Sequence, residues 1–134
     1  MQVIESKVPE IKNILANAAQ KRSTVSYQTI YRVFDDLFDK QTATSHAAIW
    51  NTFECACNEI VSSEIAIYGA LLSKKNTGLP DVGFFDVFRT IRREEYDLIT
   101  ENNRILANRL SEAQMRDIVN VERQRVYAHA DICL

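Results

Sequence analysis

Residues 65–88 run IAIYGALLSKKNTGLPDVGFFDVF, and the chain on either side of them reads as helix. All three glycines (Gly69, Gly78, Gly83) and one of the two prolines (Pro80) fall inside this window, so a departure from helix is expected here. Residues 65–72 are apolar at almost every position. That is short for a helix and matches a strand buried on both faces. Gly69 in its middle predicts a bulge or a close backbone approach. Residues 74–83 form a polar turn in which Gly78 can take positive φ. Leu79, preceding Pro80, is pushed toward extended geometry. Gly78, Pro80 and Gly83 are therefore assigned to turn geometry. Residues 84–88 are a return strand or a helix entry, and the spacing of Phe84, Phe88 and Ile91 favours a helix from about Phe85.

Upstream, Val8, Ile11, Leu15 and Ala18 make one apolar stripe on a helix at about residues 7–21, with Ser6 as its N-cap and Pro9 tolerated in its first turn. Ser26 caps a second helix, on which Ile30, Val33, Phe34, Leu37 and Phe38 recur at i, i+3, i+4, i+7, i+8. A polar connection at residues 40–44 leads to a third helix. Its stripe is Ile49, Phe53, Ala56, Cys57 and Ile60, and it stops at Ser62-Ser63. Downstream of residue 85 the pattern is helical to about Leu110. Ser111 with Gln114 then forms a capping box that opens another helix. Met115, Ile118, Glu122 and Val126 mark the inner side of that helix, and Glu122 is the one misfit.

The fold expected is α+β and mostly α, a single domain over residues 1–134. A winged-helix-like unit is expected from helices at about 27–39 and 45–62 and a strand or hairpin at about 65–85. N- and C-terminal helices flank it. The stretch 97–128 looks too long to be covered by so small a core, which favours a homodimer.

Composition narrows the function classes. Apolar content of 46% with 25% charged residues is that of a globular protein able to bury a core. No apolar run approaches the roughly 20 residues that span a bilayer. The N-terminus, MQVIESKVPEIK, shows no signal-peptide pattern. The three cysteines, Cys55, Cys57 and Cys133, have no framework spacing, and reduced thiols in a cytoplasm fit them. The net charge of −2 makes no electrostatic case for nucleic acid. Residues 41–73 contain no Lys or Arg and three acids, Glu54, Glu59 and Glu64, so the middle of the chain offers a phosphate backbone nothing.

In order, the chain carries Val25-Ser26-Tyr27, Gly69-Ala70-Leu71, Lys75-Asn76-Thr77-Gly78-Leu79-Pro80, Gly83-Phe84-Phe85 and Arg125-Val126-Tyr127-Ala128. Over about residues 25–128 this resembles a family of small uncharacterised bacterial proteins of phage-derived and other mobile DNA. Their pattern is roughly [IV]SY, SALV, K-x-T-G-x-P-G-x-GFF and RVYAY. Asp81 stands where that pattern prefers Gly. The resemblance implies a prophage or gene-cassette origin and brings no established activity. The same order is also similar to the winged-helix half of the alkylguanine alkyltransferases. Their reactive cysteine lies in a Pro-Cys-His-Arg run, and Tyr68-Gly69-Ala70-Leu71 takes that place here, which excludes alkyl transfer on that alignment. Their recognition helix carries an Arg, whereas residues 44–62 hold no Lys or Arg.

Candidate contacts to a partner or a phosphate are Lys74 and Lys75 on the turn, with Arg89, Arg92 and Arg93 behind them. Arg92-Arg93-Glu94-Glu95 also reads as a solvated helix face. Tyr27, Tyr31, Trp50 and Tyr68 are candidates for a ligand pocket or partner groove, or for core rim. Cys55-x-Cys57 and His129-x3-Cys133 have metal-like spacing, but residues two apart on a helix diverge, so no metal is assigned. No cofactor motif and no catalytic arrangement of Ser, His, Cys or Asp is readable. The function expected is a non-enzymatic accessory or interaction protein of a mobile element, which presents the turn 74–83 and an aromatic surface to a protein partner or to itself. The alternatives are a winged-helix DNA-binding regulator and an enzyme whose site the sequence does not display.

Overall fold

The computed structural model describes residues 2–38 and 42–134. Among them are six α-helices and one two-stranded sheet. The elements are α1 (Val8–Gln20), β1 (Val25–Ser26), α2 (Tyr27–Val33), α3 (Ala43–Ile60), β2 (Leu72–Ser73), α4 (Val82–Ile91), α5 (Arg93–Ile99) and α6 (Glu112–Cys133). The protein is thus α+β and mostly α. Side chains cap α2, α3 and α6, whereas α1 begins after Lys7 with no side-chain cap bond, so the expected Ser6 cap is not formed. The Ser26 hydroxyl accepts from Thr29 N–H, and Ser111 and Gln114 form the reciprocal capping box that opens α6. For α3 the cap is Thr42, two residues before the expected Thr44, and Ser45 closes the box. The expected helix end at Asp39 and the start of the connection at Lys40 lie outside the described residues. The helix itself stops at Val33, and residues 34–37 continue as turns.

Two apolar clusters make the core. The first joins Ile11 and Leu15 of α1, Ile30 of α2, Ile49 and Phe53 of α3, and Val126 and Ala130 of α6. The second joins Phe84, Phe85 and Phe88 of α4, Tyr96 of α5, and Ile118 and Val119 of α6. Helix α6 therefore spans both clusters, and residues 62–79 run along the seam between them. No helix is long and apolar enough to cross a membrane among the described residues.

The stretch opened on above corrects the expected hairpin. Residues 65–72 are not a strand: Tyr68–Leu71 is a short 3-10 turn, and only Leu72–Ser73 is extended. That strand pairs in parallel with β1, Val25 opposite Leu72 and Ser26 opposite Ser73, with α2 and α3 as the crossover. Buried backbone polar groups must be paired, and here side chains do what a ladder would otherwise do. Ile67 N–H donates to Glu122 (2.9 Å). Arg92 donates to the carbonyls of Ser63 and Glu64, both at 3.1 Å. Arg123 donates to those of Ala70 (2.7 Å), Leu72 (3.2 Å) and Gly78 (3.0 Å). The turn then closes with Gly78 N–H to Lys74 O and Lys74 N–H to Leu79 O, and Gly78 takes φ +73°. Residues 84–88 lie in α4, so the return is helix and begins at Val82.

The helix expected from 85 to 110 is broken twice. Arg92 leaves helical geometry (φ −116°, ψ 57°) and turns its guanidinium inward. Glu101, Asn102 and Arg104 take positive φ, which ends α5 and reverses the chain. The long tail that favoured a homodimer is therefore not one helix. Its last segment, α6, buries Ile118, Val119, Val126, Tyr127 and Ala130 within the chain.

Candidate functional site

One face of α3 builds a wall. His46, Trp50, Phe53, Glu54, Cys57 and Asn58 recur three or four residues apart and so share that face. The facing wall is the seam segment, through Ile67, Tyr68, Gly69 and Leu72. The first turns of α4 close one end with Gly83, Phe84 and Val87, and Tyr27 at the head of α2 closes another with Asp81. The resulting half-open cleft has a volume of about 470 Å³. That lies inside the range of about 300–1,000 Å³ typical of small-molecule sites.

The rings of the cleft hold one another. Trp50 packs edge-to-face against Tyr27 (centroids 5.4 Å apart), Tyr31 (5.6 Å) and Phe53 (5.5 Å), and His46 lies 6.1 Å from it. The Tyr27 hydroxyl accepts from Asp81 N–H at 2.7 Å and so ties the aromatic cluster to the end of the turn. Burial pushes the Tyr27 phenol up to about 12. Tyr68 is pushed up to about 12 as well, by burial first, and its hydroxyl shares a 2.6 Å hydrogen bond with His129 Nδ1. Burial, and then the charge of Glu54, raises the Cys57 thiol far above its ordinary value, so it stays protonated. A Cβ added at Gly69 or Gly83 would meet no atom within 4 Å, because both glycines border the open space. Gly83 therefore serves the cleft's width, and positive φ falls on Gly78 alone among the glycines.

Of the aromatics marked in the sequence, Tyr27, Trp50 and Tyr68 line this cleft, and Tyr31 buttresses Trp50. The basic candidates are dispersed. Lys74 lies 3.5 Å from Asp81, and Lys75 is exposed beside it. Both border a second depression with Ser26, Thr29 and Tyr31. Arg89 sits over the Tyr96 ring, 5.8 Å from its centroid. Arg93 lies 3.5 Å from Asp97 on α5.

Arg92 departs furthest from a solvated helix face. Its side chain is 8% exposed and meets Glu122, itself 0% exposed, through Nε (2.6 Å) and Nη2 (3.0 Å). Arg125 adds a third bond to Glu122 at 3.0 Å and pairs with Glu95. Glu122, the misfit on the inner side of α6, is thus the hub of a neutralised network. Its place on an apolar stripe was the one signal of that role in the sequence.

Pro80 is buried at the end of the turn. The three cysteines are free, and Cys55 donates to Glu59 at 3.4 Å instead of joining Cys57. Among the described residues no group of three His, Cys, Asp or Glu is placed to hold a metal ion. Compared with known protein families, curated proteins and solved structures, the chain matches none.

Proposed function

We propose that this chain is a non-enzymatic binding protein, an accessory component of a mobile element of the phage or gene-cassette kind, that takes an apolar or aromatic group of its ligand into the α3 cleft. The observation that carries this reading is the cleft itself: a volume of about 470 Å³ walled by mutually braced rings and fixed to the turn through Tyr27 and Asp81. Its polar groups suit binding better than catalysis. Glu54, Asp81 and His46 make no hydrogen bond to one another among the described residues, and the Cys57 thiol is held in its unreactive form. Free cysteines accord with a reducing cytoplasm.

The winged-helix DNA-binding reading has less to draw on. Lys74, Arg92 and Arg93 each face a carboxylate, as does Arg22 beside Asp131. Such pairs take four members of the basic set on which that reading relies, while Lys21, Arg32 and Lys75 stand outside the ion pairs among the described residues. Self-association likewise loses the long uncovered helix on which it rested.

Trp50 is the sole tryptophan and lies in the cleft wall, so its fluorescence reports occupancy. Titration with a neutral aromatic probe, 4-tert-butylbenzyl alcohol, is expected to shift that emission saturably. In Gly83→Leu, whose Cβ meets no atom within 4 Å and whose side chain extends from the cleft lining, the shift is expected to vanish while the thermal midpoint holds. An unsaturable response, or one equal in both proteins, would sink the reading.

A further inference from the structure

We propose that the α3 cleft selects a small organic cation, an ammonium group carried on an apolar body. The ammonium is held at the mouth by the Glu54 and Asp81 carboxylates and the rings of Tyr27 and Trp50. This rests on the binding reading above and assigns that site its ligand chemistry.

Charge is the first ground. The only formally charged carboxylates in the lining are Glu54 and Asp81, and no Lys or Arg lines it. The α3 wall and the seam wall come from residues 42–73, where no Lys or Arg occurs and His46 is the one histidine. Lys74 stands outside the lining, 3.5 Å from Asp81, and their side chains are 40% and 65% exposed. Glu54 has no cation within ion-pair distance among the described residues. Its charge is felt inside the cleft, since after burial it is the next cause that raises the Cys57 thiol. An anion entering here meets two like charges, and a neutral ligand leaves both unused.

Ring chemistry is the second ground. An aromatic face attracts a cation through its quadrupole, and indole does so best. Tyr27 and Phe53 stand at 65° and 79° to Trp50, and all three rings line the cleft. Glu54 and Asp81 are exposed, whereas the lining residues Ile67, Leu72 and Phe84 are buried and offer only apolar surface. The gradient from carboxylates and rings at the mouth to hydrocarbon inside matches an amphiphilic amine.

The test uses three probes with one apolar body: 4-tert-butylbenzylamine, the corresponding alcohol and 4-tert-butylbenzoate, titrated near neutral pH against Trp50 emission. The amine is expected to bind about tenfold tighter than the alcohol, and the benzoate more weakly than either. Most of that preference is expected to disappear in Glu54→Gln and at high salt. Glu54 is exposed, so the variant folds, and an unchanged melting curve verifies it. Equal affinity for amine and alcohol, or a preference for the benzoate, overturns the cation assignment and leaves the binding reading standing. A cation preference untouched in both Glu54→Gln and Asp81→Asn overturns the role given to these carboxylates. If no probe moves Trp50, the binding reading falls and this inference with it.

Discussion

On one side, residues 62–79 meet Glu122 and Arg123 of α6 and Arg92 between α4 and α5, charged groups that leave none of the six named backbone groups unpaired. On the α3 side the same residues meet rings and open space. One segment thus has a polar face that is closed and an apolar face that is open, the reverse of the usual arrangement. The difference shows how a small helical protein can keep a cleft from collapsing. Apolar packing is non-directional and tends to fill voids. Hydrogen bonds to fixed carbonyls are directional, so they hold the cleft's far wall where it stands.

Breaking the closed face should have the largest effect. Glu122→Ala removes the carboxylate that faces Arg92, Arg125 and Ile67 N–H and strands a buried guanidinium. It should destabilise the fold by about 3–5 kcal/mol, read as a shifted denaturation midpoint with an unchanged slope. A loss under about 1 kcal/mol would mean the network is solvated and not a clamp. Arg123→Met keeps the apolar stem but frees three carbonyls, and about 2–3 kcal/mol should follow. Gly78→Ala tests the turn alone. With φ at +73° and the nearest atom 3.9 Å away, backbone strain of about 1–2 kcal/mol is expected without a clash. If the alanine variant is as stable as the parent, the turn has another conformation open to it.

Alkaline titration probes both faces with the least perturbation. Tyr27 and Tyr68 have folded values near 12, above the ordinary phenol value of 10.0. The folded state therefore holds these protons more tightly than the unfolded chain does. The stabilisation linked to them is fully present below pH 10 and is lost as pH rises from about 10 to 12. Phenolate absorbance from these two rings should develop only near pH 12, together with loss of helical dichroism. Both appearing near pH 10 with helices intact would show that the rings are open to water.

Much local chemistry was legible in the sequence where the partner of a residue lies within a turn or two, although the Ser6 cap expected for α1 is not made. The Ser26 cap, the Ser111–Gln114 box and the stripes of α1 and α3 are of this kind. The apolar run 65–72 announced burial correctly but not conformation. A buried strand and a buried irregular segment share a composition, and what separates them is the source of their hydrogen bonds. Here those sources are Arg92, Glu122 and Arg123, the last two some fifty residues downstream, which no window contains. The break at Arg92 was hidden for the same reason, because its cause is Glu122 on another helix. At the cleft, Tyr27, Trp50 and Tyr68 were visible as candidates, while the space between them exists only once α3 and the seam segment face each other.

The clamp made by Arg123 also measures chain length. Its guanidinium reaches Ala70, Leu72 and Gly78 at once, while Glu122 and Arg92 fix Ile67, Ser63 and Glu64 from neighbouring positions. A connection tied at six points has a set contour. Surface loops generally absorb an added or missing residue with little loss. A residue added or removed between 64 and 72 would pull this one out of register with the bonds to Ile67, Ala70 and Leu72, so the count of that stretch is a gauge that keeps the cleft one width.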